Sequence, residues 1–372
     1  MDRVASAIAN IYLGIGKWES KNYSDYLGIN RKNTENPKDR MRKIIKRRMV
    51  GIDERFFEEI VIITNPSREK IADKIFNAIL QYKDDKDENP KPEITKLVIS
   101  PRLPGDRANN VVAHAVQGAT AIITVTESKQ GHVGKNTMLK NKMVRIIGMP
   151  GINDEMFSRI PSKPKKISQI VKKSEKIANL LSQAKKVRIT TEAGTDVSID
   201  INGKSGIADT GLCWNLGDYT NLPAGEAFIP PKEFSKKSSG RVVVDGSVEL
   251  PIYGPQVLRG ETIEFEMKES RIIEDSITGG EVAQKYKEIL LKWRDLGDET
   301  NMVLGELGIG TNEFAKLSGS VLEDEKVEGT FHLAFGHNDF FGGKIKDKTI
   351  KSGKKCLHLD LVMKYPDIQY FT

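Results

Sequence analysis

Four short runs of β-branched residues, each apolar on both faces, constrain the fold of this chain most. The runs are too short for helices, and they alternate with segments of helical periodicity at residues 67–82 and 106–118. Such runs are typical of strands buried on both sides in a parallel sheet, and their alternation with helices is typical of a doubly wound α/β unit. The four predicted strands are residues 60–64, 97–100, 121–125 and 144–148.

The second half of the chain has a different pattern, with short alternating segments and turns that contain glycine. A stretch with two prolines and three lysines at residues 161–166 predicts a linker, and residues 167–184 after it predict a helix. The alternation then predicts a mainly antiparallel sheet with one further helix at residues 280–296. The predicted strands of this half include residues 187–191, 197–201, 241–244 and 261–267.

The expected fold class is therefore α/β, with an N-terminal doubly wound parallel-sheet domain and a C-terminal, mainly antiparallel α+β domain that carries the functional site. We expect the two domains at residues 51–165 and 166–372, after a basic helical extension at residues 1–50. Residues 1–48 hold 12 Lys and Arg against 5 Asp and Glu, which accounts for the whole net charge of +7. The most basic part, residues 39–48, has an apolar stripe and no interleaved aromatic residue, so a solvated helix is favoured over a nucleic-acid-binding arm.

Composition excludes two classes of protein. The 372 residues include only two cysteines, and no apolar run approaches the ~20 residues of a membrane span, which excludes a disulfide scaffold and a membrane protein. Residues 1–14 have apolar positions at helical spacing and predict an amphipathic helix rather than a secretory signal. We therefore expect a soluble, cytoplasmic protein.

Three of the five histidines, His332, His337 and His358, fall within 27 residues near the C-terminus. Residues 357–363 alternate with a period of two, so His358 and Asp360 are predicted to share one face of a strand while the leucines face the core. The same alternation places His332 on the polar face of residues 330–335, where its neighbours are small. An imidazole and a carboxylate are thus predicted to project side by side.

Two glutamates upstream lie in apolar surroundings, where an unpaired carboxylate is costly to desolvate. Glu306 stands between glycines, and Glu226 follows a turn. Two imidazoles and three carboxylates suit Zn, Co, Mn or Fe, and five ligands are enough for two ions if one carboxylate bridges them at ~3.5–4 Å. A two-metal hydrolytic site is one interpretation. In the other, the histidines are hydrogen-bonded in the core and the glutamates lie in surface turns.

Five segments of the second half resemble, in order, the signature segments of the thermophilic metallo-aminopeptidases, aminopeptidase T and aminopeptidase S. A weaker resemblance at residues 126–132 and 145–159 extends it into the first half. The five segments are NLPAGEAFIP (221–230), GELGIGTN (305–312), DEKVEGTFHLAFG (324–336), FGG (341–343) and HLD (358–360).

This resemblance implies a two-domain enzyme, often dimeric, in which two divalent ions (Zn, Co or Mn) activate a water to remove N-terminal amino acids from peptides. It further implies that Glu306 orients that water or accepts its proton. The resemblance places the metal ligands at Glu226, Glu306, His332, His358 and Asp360.

The sequence departs from the peptidase pattern at one position that the reaction uses. The peptidases carry an active-site tyrosine seven residues after the histidine matched by His332, and Asp339 stands there in this chain. We expect Asp339 to face the substrate and His337 to hydrogen-bond the reacting group in place of the phenol. His132 follows the third predicted strand, where ligands of open α/β sheets bind, and is also expected to contact the substrate.

The sequence is also similar, more distantly, to the ring-opening 2,5-dihydroxypyridine dioxygenases, which use one ferrous ion held by two histidines and one carboxylate. That pattern ends in the same His-x-Asp but has a histidine where this chain has Glu306. In this alternative, His332, His358 and one carboxylate would hold Fe(II) for cleavage of a dihydroxylated aromatic ring. A non-enzymatic protein that binds nucleic acid through the basic extension is a third, less favoured hypothesis.

Overall fold

The computed structural model describes residues 2–13, 58–81, 91–101, 110–128, 144–215, 217–353 and 356–372. The basic helix predicted at residues 39–48 and the predicted substrate residue His132 lie outside these ranges. The chain divides into two compact units, residues 1–172 with 211–224, and residues 173–210 with 225–372. Across the ranges described, no helix has both the length and the apolar character needed to cross a membrane.

Helices and strands alternate in the first unit, whereas strands dominate the second. The helices are α1 (Arg3–Ala7), continued by a π-helical turn over Ile8–Tyr12, α2 (Glu69–Leu80), α3 (Asn110–Ala115), α4 (Asp154–Arg159), α5 (Pro164–Gln183), α6 (Glu281–Asp295) and α7 (Val321–Asp324). The strands are β1 (Glu59–Thr64), β2 (Glu93–Val98), β3 (Ala121–Val125), β4 (Arg145–Gly148), β5 (Lys186–Thr190), β6 (Asp196–Asp200), β7 (Ile207–Asp209), β8 (Tyr219–Asn221), β9 (Glu226–Ile229), β10 (Ser239–Val244), β11 (Ser247–Leu250), β12 (Gly254–Val257), β13 (Ile263–Lys268), β14 (Arg271–Ile272), β15 (Thr278–Gly279), β16 (Leu304–Gly310), β17 (Thr330–Gly336), β18 (His358–Lys364) and β19 (Asp367–Phe371).

The first unit is built on a parallel sheet with strand order β2-β1-β3-β4-β8. The central strand β3 is buried along its whole length, as its continuous apolar run predicts. The predicted strand at residues 97–100 is wrong in its position, because β2 begins at Glu93 and ends at Val98. As an edge strand, β2 has Glu93, Thr95 and Lys96 among its first four residues, so a search for runs apolar on both faces misses its first half.

A buried ion pair joins the first helix region to the sheet of the first unit. The side chain of Arg145, at the start of β4, is fully buried, and its Nη2 lies 2.5 and 2.7 Å from the two carboxylate oxygens of Glu58. Its Nη1 donates to the carbonyl oxygen of Leu13 at 2.5 Å. Charges buried in this way need such a partner, because an isolated one is very costly to desolvate.

The second unit holds two antiparallel sheets. One has the strand order β14-β13-β10-β6-β5-β19, with β15 paired to β13, and the other has the order β12-β11-β18-β17-β16-β9-β7. Apolar residues from both sheets, from α5 and from α6 form one continuous core. The parallel first sheet and these antiparallel sheets confirm the predicted α/β fold class.

The alternation predicted for the two histidine-bearing strands is confirmed. Phe331, Leu333 and Phe335 of β17, with Leu359 and Leu361 of β18, point into the core of the second unit. The residues between them therefore face away from that core, on the opposite side of the sheet. This opposite side carries the candidate functional site.

Candidate metal centre

Four neighbouring strands of the second unit bring the five predicted ligands to one face of one sheet. In the antiparallel register, Glu306 of β16 lies opposite Ala334 of β17, and Ala334 lies opposite Asp360 of β18. Glu226 opens β9 and pairs with Gly310 at the end of β16. A bulge in β16 between Leu304 and Glu306 shifts the register where the glutamate projects.

Small residues leave the space that these polar side chains fill. Gly308 lies opposite His332 in the register, and a β-carbon at Gly308 would come within 2.0 Å of the imidazole Cε1. The imidazole therefore lies across the backbone of β16 in a space that only glycine provides. Ala334, between Glu306 and Asp360, separates the two carboxylates with a single methyl group.

Glu306 lies between the two imidazoles. Its Oε1 is 3.4 Å from Nε2 of His332, and its Oε2 is 3.3 Å from Nε2 of His358. Burial opposes ionisation of this carboxyl, but hydrogen bonds to His332 and His358 outweigh it and lower the pKa of Glu306 to about 2. Glu306 is therefore an anion shared by two ring nitrogens.

A backbone contact fixes the ring of His358. Its Nδ1 lies 2.7 Å from the carbonyl oxygen of His337, so Nδ1 carries the proton that is donated there. Its Nε2 faces Glu306 Oε2 at 3.3 Å and Asp360 Oδ1 at 3.4 Å. Burial disfavours the charged ring, but Asp360 and Glu306 outweigh burial and raise the pKa of His358 to about 10. The two carboxylates thus stabilise a positive charge at or beside Nε2.

His332 is in the same situation. The side chain is buried, and Nε2 lies 3.4 Å from Glu306 Oε1 and 3.7 Å from Glu226 Oε2. Burial disfavours its charged form, but Glu306 and Glu226 outweigh that effect and raise the pKa of His332 to about 9. Within the described part of the chain, neither His332 Nδ1 nor Glu226 Oε2 has a hydrogen-bond partner.

The donor set fits a divalent metal ion. Ligand atoms of Glu306, His358 and Asp360 lie within 4.8 Å of one another, and atoms of Glu226, Glu325 and His332 form a second such group. Imidazole nitrogen with carboxylate oxygen is a mixture that Zn, Mn and Fe accept. The His358 ring is also oriented through its second nitrogen by a backbone carbonyl, the arrangement usual for metal-ligating histidines.

A buried lysine that the sequence analysis did not select adjoins the second group. Lys326 is 1% exposed, and its Nζ contacts Glu226 Oε1, lies 2.9 Å from Glu325 Oε1 and lies 3.8 Å from Asp209 Oδ2. Burial would lower the pKa of this lysine, but the three carboxylates outweigh burial and hold it well above the ordinary value. The ammonium group of Lys326 is therefore a permanent positive charge buried beside the second group.

An aromatic turn lies beside His358. Residues Asp339–Phe341 form a 3-10 turn, and the rings of Phe340 and Phe341 lie 5.8 and 6.1 Å from the His358 ring. The His337 ring is 5.4 Å from the same imidazole and 5.8 Å from Phe340. Phe340 is 49% exposed, so part of an aromatic face beside a candidate ligand is open to solvent.

Side-chain bonds of Asn338 and Glu233 hold this turn. Asn338 donates to Gly305 O at 3.0 Å and to Glu233 Oε1 at 3.2 Å, and accepts from the Ile345 amide at 2.9 Å. Glu233 Oε1 also accepts from the Lys344 amide at 2.7 Å. The start of the turn is thereby bound to strand β16 through Gly305, and the residues after it are bound to Glu233.

The structure brings together the five residues predicted as metal ligands and places His337 next to them. Asp339 is exposed, and its carboxylate accepts from the Asp347 amide at 3.3 Å. Glu325, Lys326 and Phe340 were missed by sequence reasoning. The one available signal was an adjacent Glu-Lys pair in a segment already singled out for its resemblance, but sequence alone does not show which charges are buried.

This fold and this cluster of histidine and carboxylate side chains define an α/β protein with a candidate metal centre. A family model described as NicX, 2,5-dihydroxypyridine 5,6-dioxygenase, matches residues 58–369. The chain belongs to this family. None of the curated proteins that were compared matches the chain significantly.

Two solved structures share the fold. The 2,5-dihydroxypyridine dioxygenase from Pseudomonas putida KT2440 aligns with a TM-score of 0.64 at 17% identity, over 84% of this chain and 88% of its own. AmpT from Thermus thermophilus, an aminopeptidase T, aligns with a TM-score of 0.51 at 14% identity, over 90% of this chain and 95% of its own. The predicted resemblance is thus confirmed in part, because both groups are found, but the matching family is the dioxygenase one, which the sequence analysis had placed second.

Proposed function

We propose that this protein is a mononuclear non-haem iron dioxygenase that opens the ring of a dihydroxylated, pyridine-type aromatic compound. The observation that carries the proposal is the group formed by Glu306, His358 and Asp360 beside an open aromatic turn. Membership of the dioxygenase family supports the same reaction class. This proposal adopts the alternative of the sequence analysis in preference to the peptidase.

The residues that would hold the ion are Glu306, His358 and Asp360, with His332 as a fourth ligand through the nitrogen that faces Glu306. Fe(II) bound there would supply the one-electron chemistry that allows molecular oxygen to react with an electron-rich ring. Glu306 stands where the dioxygenase pattern has a histidine. The site would therefore be richer in carboxylate than the pattern of two histidines and one carboxylate.

The residues of the turn would bind and orient the substrate. Phe340 offers an exposed ring face next to His358, and planar aromatic compounds stack on such faces. His337, half-buried between His358 and Phe340, would accept a proton from a ring hydroxyl as the substrate binds. Asp339 would contribute charge at the outer rim. We propose these roles together with a homodimeric state and a cytoplasmic location.

The second candidate is the two-metal aminopeptidase-like hydrolase, with Zn, Co or Mn. The group of Glu226, Glu325 and His332 favours it, because it adjoins the first group through Glu306 and could hold a second ion. The residue at the tyrosine position argues against it, because Asp339 cannot donate a phenolic hydrogen bond. His132 would contact the substrate in either reaction.

Oxygen consumption separates the two candidates. Protein reconstituted anaerobically with Fe(II) is mixed with 2,5-dihydroxypyridine and air-saturated buffer, and protein loaded with Zn, Co or Mn is assayed with aminoacyl amides. We expect one O₂ consumed for each ring opened, only with iron, and none by His358→Ala. Hydrolysis of aminoacyl amides by the Zn, Co or Mn form, without oxygen uptake by the iron form, would reject the dioxygenase.

A further inference from the structure

A buried ammonium lies where the two-metal interpretation needs a cation. Lys326 Nζ contacts Glu226 Oε1 and lies 2.9 Å from Glu325 Oε1, so it bonds two of the three members of the second candidate ligand group. Asp209 Oδ2, at 3.8 Å, adds a third carboxylate. A single positive charge is thus surrounded by oxygen ligands of the kind that bind divalent ions.

The backbone fixes this lysine in place. Lys326 follows the short helix α7, its amide donates to Glu323 O at 2.9 Å, and its carbonyl accepts from the Asn312 amide at 2.8 Å. Both peptide groups of the residue are therefore used, and the side chain points into the sheet face with 1% of its surface exposed. Because its backbone is held in this way, Lys326 cannot easily move its ammonium group away to make room for an ion.

The second group nevertheless keeps features of a ligand site. Glu226 is 95% buried, as its relative exposure of 5% shows, and its Oε2 finds no hydrogen-bond donor in the ranges described. That oxygen lies 3.7 Å from His332 Nε2. If the ammonium were absent, Glu226, Glu325 and His332 would offer three ligand atoms within 4.8 Å of one another. Because His332 Nε2 faces both groups, a second ion would take this nitrogen in place of the first ion, which would keep Glu306, His358 and Asp360.

We propose that Lys326 takes the place of a second metal ion and so limits the centre to one divalent ion. The inference rests on the proposed metal centre and goes beyond it, because it assigns the metal number to one residue. A divalent ion beside Nζ would meet like charge at close range in a poorly solvated site, where repulsion is strong. Removing the ammonium should therefore open the second position.

The test is the number of Mn²⁺ ions bound by the full-length protein. Wild type, Lys326→Met and Lys326→Arg are dialysed against excess Mn²⁺, and bound manganese per chain is measured by elemental analysis. We expect about one ion for wild type and Lys326→Arg, and about two for Lys326→Met, a twofold rise. Electron paramagnetic resonance should show spin coupling between two manganese ions in the methionine variant alone.

A double variant tests whether the added ion binds at the proposed position. Lys326→Met combined with Glu226→Gln removes a ligand of that position and should return the count to one. Lys204→Met serves as the matched control, because Lys204 is also mostly buried and paired, at 3.3 Å with Glu233, outside the second group. It should bind one ion.

Each outcome decides the matter. Wild type that binds no manganese would reject the metal centre itself, whereas one ion in both wild type and Lys326→Met would reject only the role of Lys326. Two ions in wild type would also overturn that role. If Lys326→Met fails to fold, Lys326→Gln, whose amide can still bond Glu226, is measured instead. Failure of excess Mn²⁺ to rescue the folding of both variants would show that a metal cannot replace the ammonium.

Discussion

Replacing Gly308 with alanine tests whether the imidazole of His332 must lie across strand β16. The backbone of Gly308 is not in the left-handed region, so alanine is compatible with its conformation. Its methyl carbon, however, would lie 2.0 Å from Cε1 and 2.2 Å from Nε2 of His332. The substitution therefore displaces the ring while the ring itself stays chemically intact.

The expected loss of metal affinity follows from how far the added methyl group would push the His332 ring. Non-bonded carbon atoms rest ~3.5–4.0 Å apart, so the ring must retreat by about 1.5 Å. Nε2 is already 3.4 Å from Glu306 Oε1, and such a retreat breaks this contact. Disturbing the contacts that orient a metal ligand typically costs ~10–100-fold in metal affinity, and at ~1.4 kcal/mol for each factor of ten the upper end of that range is about 2.8 kcal/mol.

The assay compares metal affinity with stability. Alanine in a strand is intrinsically favoured over glycine by roughly 0.5–1 kcal/mol, which partly offsets the strain of moving the ring. We therefore expect Gly308→Ala to fold with a melting temperature close to that of wild type but to bind Co²⁺ or Fe²⁺ about 10–100-fold more weakly by anaerobic calorimetry. Gly118→Ala is the control, because its added methyl would be 3.4 Å from Glu59 Oε2, an ordinary contact.

Wild-type metal affinity in a folded Gly308→Ala variant would refute the reasoning. It would mean that His332 can leave its position without weakening the binding of the ion, and that the ligands are Glu306, His358 and Asp360 alone. A loss of affinity accompanied by general unfolding would instead show that the space beside Gly308 is needed for the fold. Circular dichroism at the temperature of the calorimetry separates the two results.

Three further predictions concern other residues. His358→Ala should lose the metal and the activity together, because its Nε2 faces two carboxylates at 3.3 and 3.4 Å, and elemental analysis that finds full metal content would reject its role as a ligand. Phe340→Ala should raise KM for an aromatic substrate about two- to tenfold with little change in kcat, since an aromatic contact is worth ~0.5–1.5 kcal/mol. Glu58→Gln should lower the free energy of unfolding by about 3–5 kcal/mol in a urea titration, because it removes the carboxylate charge that lies 2.5 Å from Nη2 of the buried Arg145.

Two matched substitutions serve as controls for these measurements. Phe371→Ala removes another ring that is 41% exposed and should leave KM unchanged. Glu264→Gln breaks an exposed pair with Arg241 and should cost less than about 1 kcal/mol. An equal loss of stability in Glu58→Gln and Glu264→Gln would mean that burial of the first pair has little effect.

Periodicity was sufficient to predict the two strands that carry the histidines, β17 and β18, whereas β9 and β16, which carry Glu226 and Glu306, were not predicted as strands. The alternation at residues 357–363 assigns His358 and Asp360 to one face, and the structure confirms it because Leu359 and Leu361 are in the core. Strand β2 was misplaced because one of its faces is solvated, which hides an edge strand from a search for continuous apolar runs. Local sequence pattern therefore predicts a strand correctly where one of its faces is buried in the core, and it misplaces a strand at the edge of a sheet.

The contents of the site were less predictable than its strands. His332 and Glu306 could be selected because each is a polar residue in an apolar run. Lys326 could not, because lysine is the commonest kind of solvated residue and only the antiparallel register brings Glu226 next to it from 100 positions away. Its partners are set by long-range topology, which a single sequence does not reveal.

The candidate ligands and the groups proposed to contact the substrate lie on different elements, which has an evolutionary consequence. The candidate ligands Glu306, His332, His358 and Asp360 belong to the paired strands β16, β17 and β18, whereas the groups that would meet the substrate belong to a turn that Asn338 and Glu233 anchor. Insertions or exchanges within that turn can alter which compounds are accepted while the strands that carry the candidate ligands keep their shape. A scaffold of this kind allows specificity to diverge among descendants without each one having to rebuild its reactive centre.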